Sequence, residues 1–322
     1  MNAKDLRIVF MGTPRIAAFI LKALHREGYH LAGVVTTPDK AAGRGLKLLH
    51  SEVKQAALEL GVAVLQPENL KAPAFHEALL ALKPDVQVVV AFRMLPESVW
   101  ALPPLGTFNM HASLLPQYRG AAPINRAIIN GEKETGVTTF LLDHEIDTGR
   151  ILLREKMPIL EYETAGHLHD RMMEAGAAIV IKTLDSLAGG AVQALDQGEY
   201  ISGSGSLKKA PKIYREDCLI DWKRPCREVV NLIHGLSPYP GAFTPLTLEG
   251  SETSMKIFEA RPRVAEHRIP AGTPCSDGKE EFLFTTPDGV VLVKSLQMPG
   301  KKRMSTPDFL RGFRGKPLPN FP

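Results

Sequence analysis

Val86-Gln87-Val88-Val89-Val90-Ala91 is a β-branched run broken by one polar residue, the composition of a strand buried on both faces. Towards the N-terminus, apolar strand patterns at Leu6–Phe10, Leu31–Val35 and Val62–Leu65 alternate with helical periodicity at Ile16–Arg26, Val53–Leu60 and Ala74–Leu82. Towards the C-terminus come strands at Gly106–Met110 and Gly136–Leu142, a hairpin-like arm at Arg150–Ile159 and a long amphipathic helix at Thr164–Leu187. This alternation predicts an α/β fold with a doubly wound, mostly parallel sheet. Such sheets bind ligands beyond the carboxyl ends of their strands.

The pattern changes after Ala188-Gly189-Gly190. Ser202-Gly203-Ser204-Gly205-Ser206 has the composition of a linker. Beyond it a helix at Cys226–His234 precedes short β runs at Phe243–Leu248, Ser254–Glu259, Phe282–Thr285 and Val290–Leu296, separated by Pro and Gly turns. We therefore expect a catalytic domain over residues 1–189, a linker over 190–207, and a smaller, mostly β, barrel-type domain over 208–322.

Composition narrows the class. With 44% hydrophobic and 23% charged residues, the chain resembles an ordinary globular protein of two domains. Three cysteines without CxxC spacing give neither a disulfide framework nor a zinc ligand set, and a cytoplasmic location is expected. Residue spacing offers no metal site, the first residues lack the apolar core of a signal peptide, and no run is long enough to span a bilayer. From Lys208 onward there are nineteen Lys and Arg against thirteen Asp and Glu, which suits either a polyanionic partner or a solvated surface. Nothing in the sequence argues against a monomer.

The chemistry concentrates in Gly106–Arg126, where Asn109 and His111 fall two residues apart on one face of an extended segment. A carboxamide can donate to a developing oxyanion, and an imidazole can move a proton. Asp147, just before Gly149, is the carboxylate that could tune that imidazole, with Asp143, His144 and Glu145 as neighbouring rivals. The turn Gly12-Thr13-Pro14 has one glycine where a dinucleotide loop wants three, so a tight strand-to-helix turn is expected there. Lys40-Ala41-Ala42-Gly43-Arg44-Gly45-Leu46-Lys47 is long for a connection after a strand. Its two glycines predict a mobile loop, in which Lys40, Arg44 and Lys47, with Lys54 beyond, offer charge for phosphates. Lys301-Lys302-Arg303 is a further basic cluster.

The Asn-x-His-x-Ser-Leu-Leu-Pro-x-x-Arg-Gly-Ala-Ala-Pro-Ile run at 109–124, with Asp147-Thr148-Gly149, resembles the signature of the formyltetrahydrofolate-dependent formyltransferases. The Gly12-Thr13-Pro14 turn, the Ala42-Gly43-Arg44-Gly45 loop and Pro299-Gly300-Lys301-Lys302 are similar as well. The resemblance implies a Rossmann-like domain followed by an OB-like barrel, with 10-formyltetrahydrofolate as donor. The acceptor it implies is the free amine of methionine esterified to initiator tRNA. Asn109, His111 and Asp147 would be catalytic, and Ser113, Leu114, Leu115 and Pro116 would line the folate site together with Arg93, Met94 and Leu95. Lys40, Arg44, Lys47, Lys301 and Lys302 would meet the tRNA. Two departures stand out. Ala91-Phe92-Arg93-Met94-Leu95-Pro96 is one residue shorter than the Ala-Tyr-Gly-x-x-Leu-Pro of many members, and Glu52 replaces a common proline after Ser51. An amino-sugar nucleotide is the alternative acceptor, and a non-catalytic folate- or RNA-binding regulator is the alternative class.

Overall fold

The structure, a computed structural model, describes residues 2–42, 47–201, 206–248, 251–313 and 318–321. The chain forms two compact units, each discontinuous in sequence. The first comprises Met1–Gly120, Thr135–Met157 and His169–Lys209, and the second Ala121–Glu134, Pro158–Leu168 and Ala210–Pro322.

Elements of the first unit begin with β1 (Ile8–Gly12), α1 (Arg15–Arg26), β2 (Leu31–Val35), β3 (Lys40–Ala42), β4 (Lys47–Leu49), α2 (Glu52–Glu59) and β5 (Val64–Leu65). They continue with α3 (Pro73–Ala81), β6 (Val86–Val90), α4 (Glu97–Trp100) and β7 (Thr107–His111). Next in the chain is α5 (Pro123–Ile129), which belongs to the second unit, then β8 (Glu134–Leu141), β9 (Ile151–Pro158) and α6 (Ala165–Ala188), whose first turn is also counted with the second unit. Seven strands form one sheet in the order β5-β2-β1-β6-β7-β8-β9. The pairs from β5 through β7 are parallel, and β8 turns antiparallel against β7. This is the doubly wound, Rossmann-like sheet expected, with the anticipated central strand β6 buried at every position.

Burial explains why the strands stay put. Ile8, Phe10, Phe108 and Phe140 lose all or nearly all contact with solvent, and each such side chain contributes about 1.5–3 kcal/mol. Gly12 ends β1 where a Cβ would lie 2.6 Å from that of Ala17 and 2.9 Å from the Val90 carbonyl oxygen. The glycine there serves close packing of helix against strand.

Within the stretch read as a loop at 40–47, Lys40, Ala41 and Ala42 pair with Leu49, Leu48 and Lys47 as a short hairpin. Gly43, Arg44 and Gly45 lie outside the described residues. Asp39 sits at the hairpin base and accepts from Lys54 Nζ at 2.5 Å and Gln66 Nε2 at 2.9 Å. Those bonds, joined by His50, hold the Asp39 carboxyl well below the usual carboxylate range. Lys54 is therefore committed to Asp39 rather than to a phosphate. Glu52 opens α2 directly after the Ser51 cap, where a proline is also tolerated and an acid meets the positive end of the helix.

In the second unit α7 (Cys226–Gly235) packs on a six-stranded antiparallel sheet. Its strands are β10 (Ala242–Leu248), β11 (Ser251–Val264), β12 (Pro274–Ser276), β13 (Phe282–Thr286), β14 (Gly289–Gln297) and β15 (Met304–Ser305). α8 (Thr306–Gly312) closes it. Register shifts near Glu259 bend the long strand β11, as a half-barrel requires. Val229, Val230, Ile233 and Leu236 from the α7 segment meet Met255, Ile257, Phe282, Phe284 and Val291 in one core. Trp222 stacks on Phe284 with centroids 4.3 Å apart.

His234 lies inside this unit, where its Nε2 accepts the Ala260 amide at 3.2 Å. Burial, reinforced by the Arg261 cation, pushes its imidazole down to about 4. The unfolded chain thus binds the proton first, and stability falls as pH drops from 6.5 towards 4, by up to about 3 kcal/mol. Thermal melts should show that loss, and His234→Gln, which keeps an acceptor without titrating, should flatten the pH dependence in this window.

Candidate active site

β7 carries Asn109 and His111 to the carboxyl edge of the sheet, where parallel pairing with β6 gives way to antiparallel pairing with β8. Alternation puts both side chains on one face. His111 is 6% exposed. Its Nε2 is 2.9 Å from the Tyr118 carbonyl oxygen, which can only accept, so Nε2 bears a hydrogen. That leaves Nδ1 directed at Asp147 Oδ2, 3.9 Å away. Among the acidic and imidazole groups that compete in the sequence, Asp147 is the one brought to His111. Asp143, His144 and Glu145 are exposed, and His144 packs against Trp100 instead.

Asp147 is held from three sides. Gly120 N donates to its Oδ2 at 2.9 Å, and its backbone adopts φ +57°, a left-handed conformation costly for a residue with a Cβ. Gly149 explains the tightness of the same turn, because a Cβ there would lie 1.8 Å from the Leu141 carbonyl oxygen. The third support is Gln197, which sequence reading leaves inside a linker. Its Nε2 donates to the carbonyl oxygens of Asp147 and Gly149, both at 2.9 Å. Its Oε1 accepts from Arg119 Nε at 3.0 Å and Nη2 at 2.6 Å. Since Tyr118 and Gly120 flank Arg119, one buried amide joins the strut that holds His111 to the turn that holds Asp147. The readable hint is the Asp196…Glu199 capping box around it.

Residues 113–117 close over β8. Thr138 Oγ1 donates to the Ser113 carbonyl and accepts from Leu115 N. Ser113 Oγ donates to the Gln117 carbonyl at 2.7 Å. Ser113, Leu115 and Pro116 are buried, whereas Leu114 is part-exposed. In the neighbouring segment Met94 is 68% exposed and Leu95 belongs to the core. The Arg93 guanidinium donates to the backbone carbonyls of Pro67 and Glu68, so the unusual arginine braces a loop.

Asn109 Oδ1 is buried and has no hydrogen-bond partner. A buried orphan of this kind suits a polar ligand group, and it sits beside the imidazole–carboxylate pair. A carboxamide that can donate through its nitrogen, set on one strand edge with an imidazole–carboxylate pair, can stabilise an oxyanion and move a proton. That is the equipment of acyl transfer without a covalent enzyme intermediate. Among the described residues no cluster of His, Cys, Asp or Glu could hold a metal.

Comparison with known proteins agrees. The formyl transferase family matches residues 6–184, and its C-terminal domain matches 212–314. The methionyl-tRNA formyltransferases of Bacteroides thetaiotaomicron and Parabacteroides distasonis are each 51% identical to this chain, with 98% of both chains covered. That of Porphyromonas gingivalis is 48% identical over 97% of each. Among solved structures, HypX from Aquifex aeolicus in complex with tetrahydrofolic acid matches with a TM-score of 0.64 at 18% identity. That match takes in 98% of this chain but only about half of HypX. The sugar 3N-formyltransferase WlaRD gives a TM-score of 0.62 at 21% identity, covering 92% of this chain and 99% of that one. The chain belongs to the formyl transferase family. Within that family it groups with the methionyl-tRNA formyltransferases.

Replacing Gln197 by Leu should cut kcat for formyl transfer by roughly 10–100-fold, since small displacements of catalytic groups cost that much. Gly149→Ala should lower both activity and melting temperature, as the added methyl has no space.

Proposed function

We propose that this protein moves the formyl group of 10-formyltetrahydrofolate onto the free amino group of methionyl-initiator tRNA, yielding N-formylmethionyl-tRNA and tetrahydrofolate. The observation that carries this reading is the His111–Asp147 pair at the end of the strand that also bears the Asn109 carboxamide. The half-identical, full-length relatives support the choice of acceptor. The sugar formyltransferases are similar at fold level only, so an amino-sugar nucleotide is the weaker reading. A regulator without catalysis would have no use for all three polar groups.

10-Formyltetrahydrofolate would supply the activated formyl carbon. Asn109 Nδ2 donates to the formyl oxygen as negative charge develops on it, a contribution worth roughly 3–4 kcal/mol when such a donor is lost. His111 Nδ1, with the Asp147 carboxylate 3.9 Å away to stabilise the imidazolium, receives the proton that the attacking amine must shed. A new C–N bond forms to the methionyl nitrogen, the bond from carbon to N10 breaks, and N10 takes up a proton. His111, fixed at Nε2 by the Tyr118 carbonyl, can return that proton only through Nδ1.

The folate reading rests on the backbone of 113–116, the part-exposed Leu114 and the exposed Met94, with Arg93 acting through the loop it braces. For tRNA, Lys301 and Lys302 are exposed in the turn before β15. Lys40 and Lys47 belong to the hairpin strands that lead to Arg44. We take residues 1–189 as the catalytic domain, 190–207 as the linker and 208–322 as the tRNA-binding domain of a cytoplasmic monomer.

The test compares formyl transfer to initiator methionyl-tRNA, elongator methionyl-tRNA and a UDP-amino sugar. Only the first should be a good substrate, and preferential turnover of the sugar would overturn the reading. Asn109→Ala, His111→Ala and Asp147→Ala should each lower kcat by about 10²-fold or more without loss of fold, and a near-normal kcat would remove that residue from the mechanism.

A further inference from the structure

β2, β1, β6 and β7 run parallel, so their carboxyl ends share one edge of the sheet. The edge that presents Asn109 and His111 therefore also launches the β3–β4 hairpin, which starts at Lys40 shortly after β2 ends at Val35. Two strands of this length are marginal by themselves in water. Leu48 and Leu49 are 65% and 59% exposed, although neighbours on a strand point to opposite faces, so neither face of β4 is covered there. The hairpin is held at its root.

That root is a cluster of side chains centred on Asp39. Its Oδ1 accepts from Gln66 Nε2 at 2.9 Å and lies 3.0 Å from His50 Nδ1, and its Oδ2 takes the Lys54 ammonium at 2.5 Å. Gln66 also donates to the Thr37 carbonyl at 2.8 Å. The Thr36 and Ser51 hydroxyls meet at 2.7 Å, and Ser51 caps α2 through the Lys54 amide. Asp39 precedes β3 and His50 follows β4, so the cluster fastens both legs of the hairpin to the ends of β2 and β5 and to the start of α2. The Asp39 and Lys54 side chains are mostly buried in doing so. Residues 40–47 include Lys40, Arg44 and Lys47 and no acid. A carboxylate at the root of such a segment works against attraction of a polyanion, which leaves geometry as its contribution. We infer that Asp39 is a positioning residue for the RNA acceptor: held by Lys54, Gln66 and His50, it sets how the hairpin stands at the catalytic edge, and it touches neither substrate. The inference rests on the proposed function for the identity of that acceptor.

Charge alone and positioning predict opposite signs. Asp39→Ala removes a negative charge and releases the Lys54 ammonium, so electrostatics alone would tighten RNA binding. Positioning predicts instead that KM for methionyl-tRNA and Kd for uncharged initiator tRNA both rise by roughly tenfold, because a loosened hairpin must be ordered on binding. The kcat at saturating tRNA and the KM for the formyl donor should hold. Lys54→Met should show the same loss with the slope of log affinity against log salt unchanged, since its ammonium meets a carboxylate and not a phosphate. The double variant should bind no worse than either single one, as residues acting in one unit do. In the free protein, amide exchange should quicken at Lys40–Ala42 and Lys47–Leu49 in both variants and stay as it was in β1, β6 and β7. Unchanged or tighter tRNA binding by Asp39→Ala overturns the inference, and so does a fall of about one in the salt slope of Lys54→Met. Should the wild type bind tRNA without formylating it, the proposed function fails while the binding and exchange series still decide Asp39.

Discussion

Everything in the active site depends on the three-residue strut Tyr118-Arg119-Gly120. Its first carbonyl fixes the His111 tautomer and its last amide fixes the Asp147 carboxylate, so the separation of base and acid is set by one short stretch of backbone. Neither contact uses a side chain of the strut, which is why its glycine and tyrosine could not be assigned these duties from residue type. The arginine between them adds the third constraint by gripping Gln197.

The sheet supplies the rigidity that makes such a strut useful. β7 is clamped between β6 and β8, and the change from parallel to antiparallel pairing on its far side opens the edge from which Asn109 and His111 project. Thr138, fully buried opposite His111, ties the Ser113–Leu115 turn to the same edge through its hydroxyl. The site is therefore built from strand ends and tight turns, with the strain of Asp147 in a left-handed conformation carried by the surrounding bonds.

Much of this was legible in the residues. The β-branched run at 86–91 announces a central strand because burial on both faces selects such side chains, and the strand period places Asn109 and His111 together without any coordinates. The short helices α4, α5 and α8 and the short strands β12 and β15 were not legible, because segments of two turns or fewer, or of two or three strand residues, depend on tertiary packing rather than on their own periodicity. The resemblance singled out Asp147, but spacing alone did not exclude Asp143 or Glu145, since only the fold decides which acid faces the imidazole. Lys54 illustrates the opposite error: a lysine in a basic stretch suggests a phosphate contact, yet its ammonium is committed to Asp39. Gln197 was hidden by its surroundings, a Gly- and Ser-rich tract fifty residues from the carbonyl it supports.

The segment from Leu195 to Lys209 does more than connect. Leu195 pairs with Ile151, Gln197 grips the acid's turn, the Lys208 carbonyl accepts the Tyr118 amide, and Lys209 bridges to Arg119. A tether anchored at both ends of the catalytic machinery behaves as part of its chassis. Evolutionary lengthening of this tract is consequently confined to the stretch between its two moorings, and an excised N-terminal fragment would arrive with its acid unbraced.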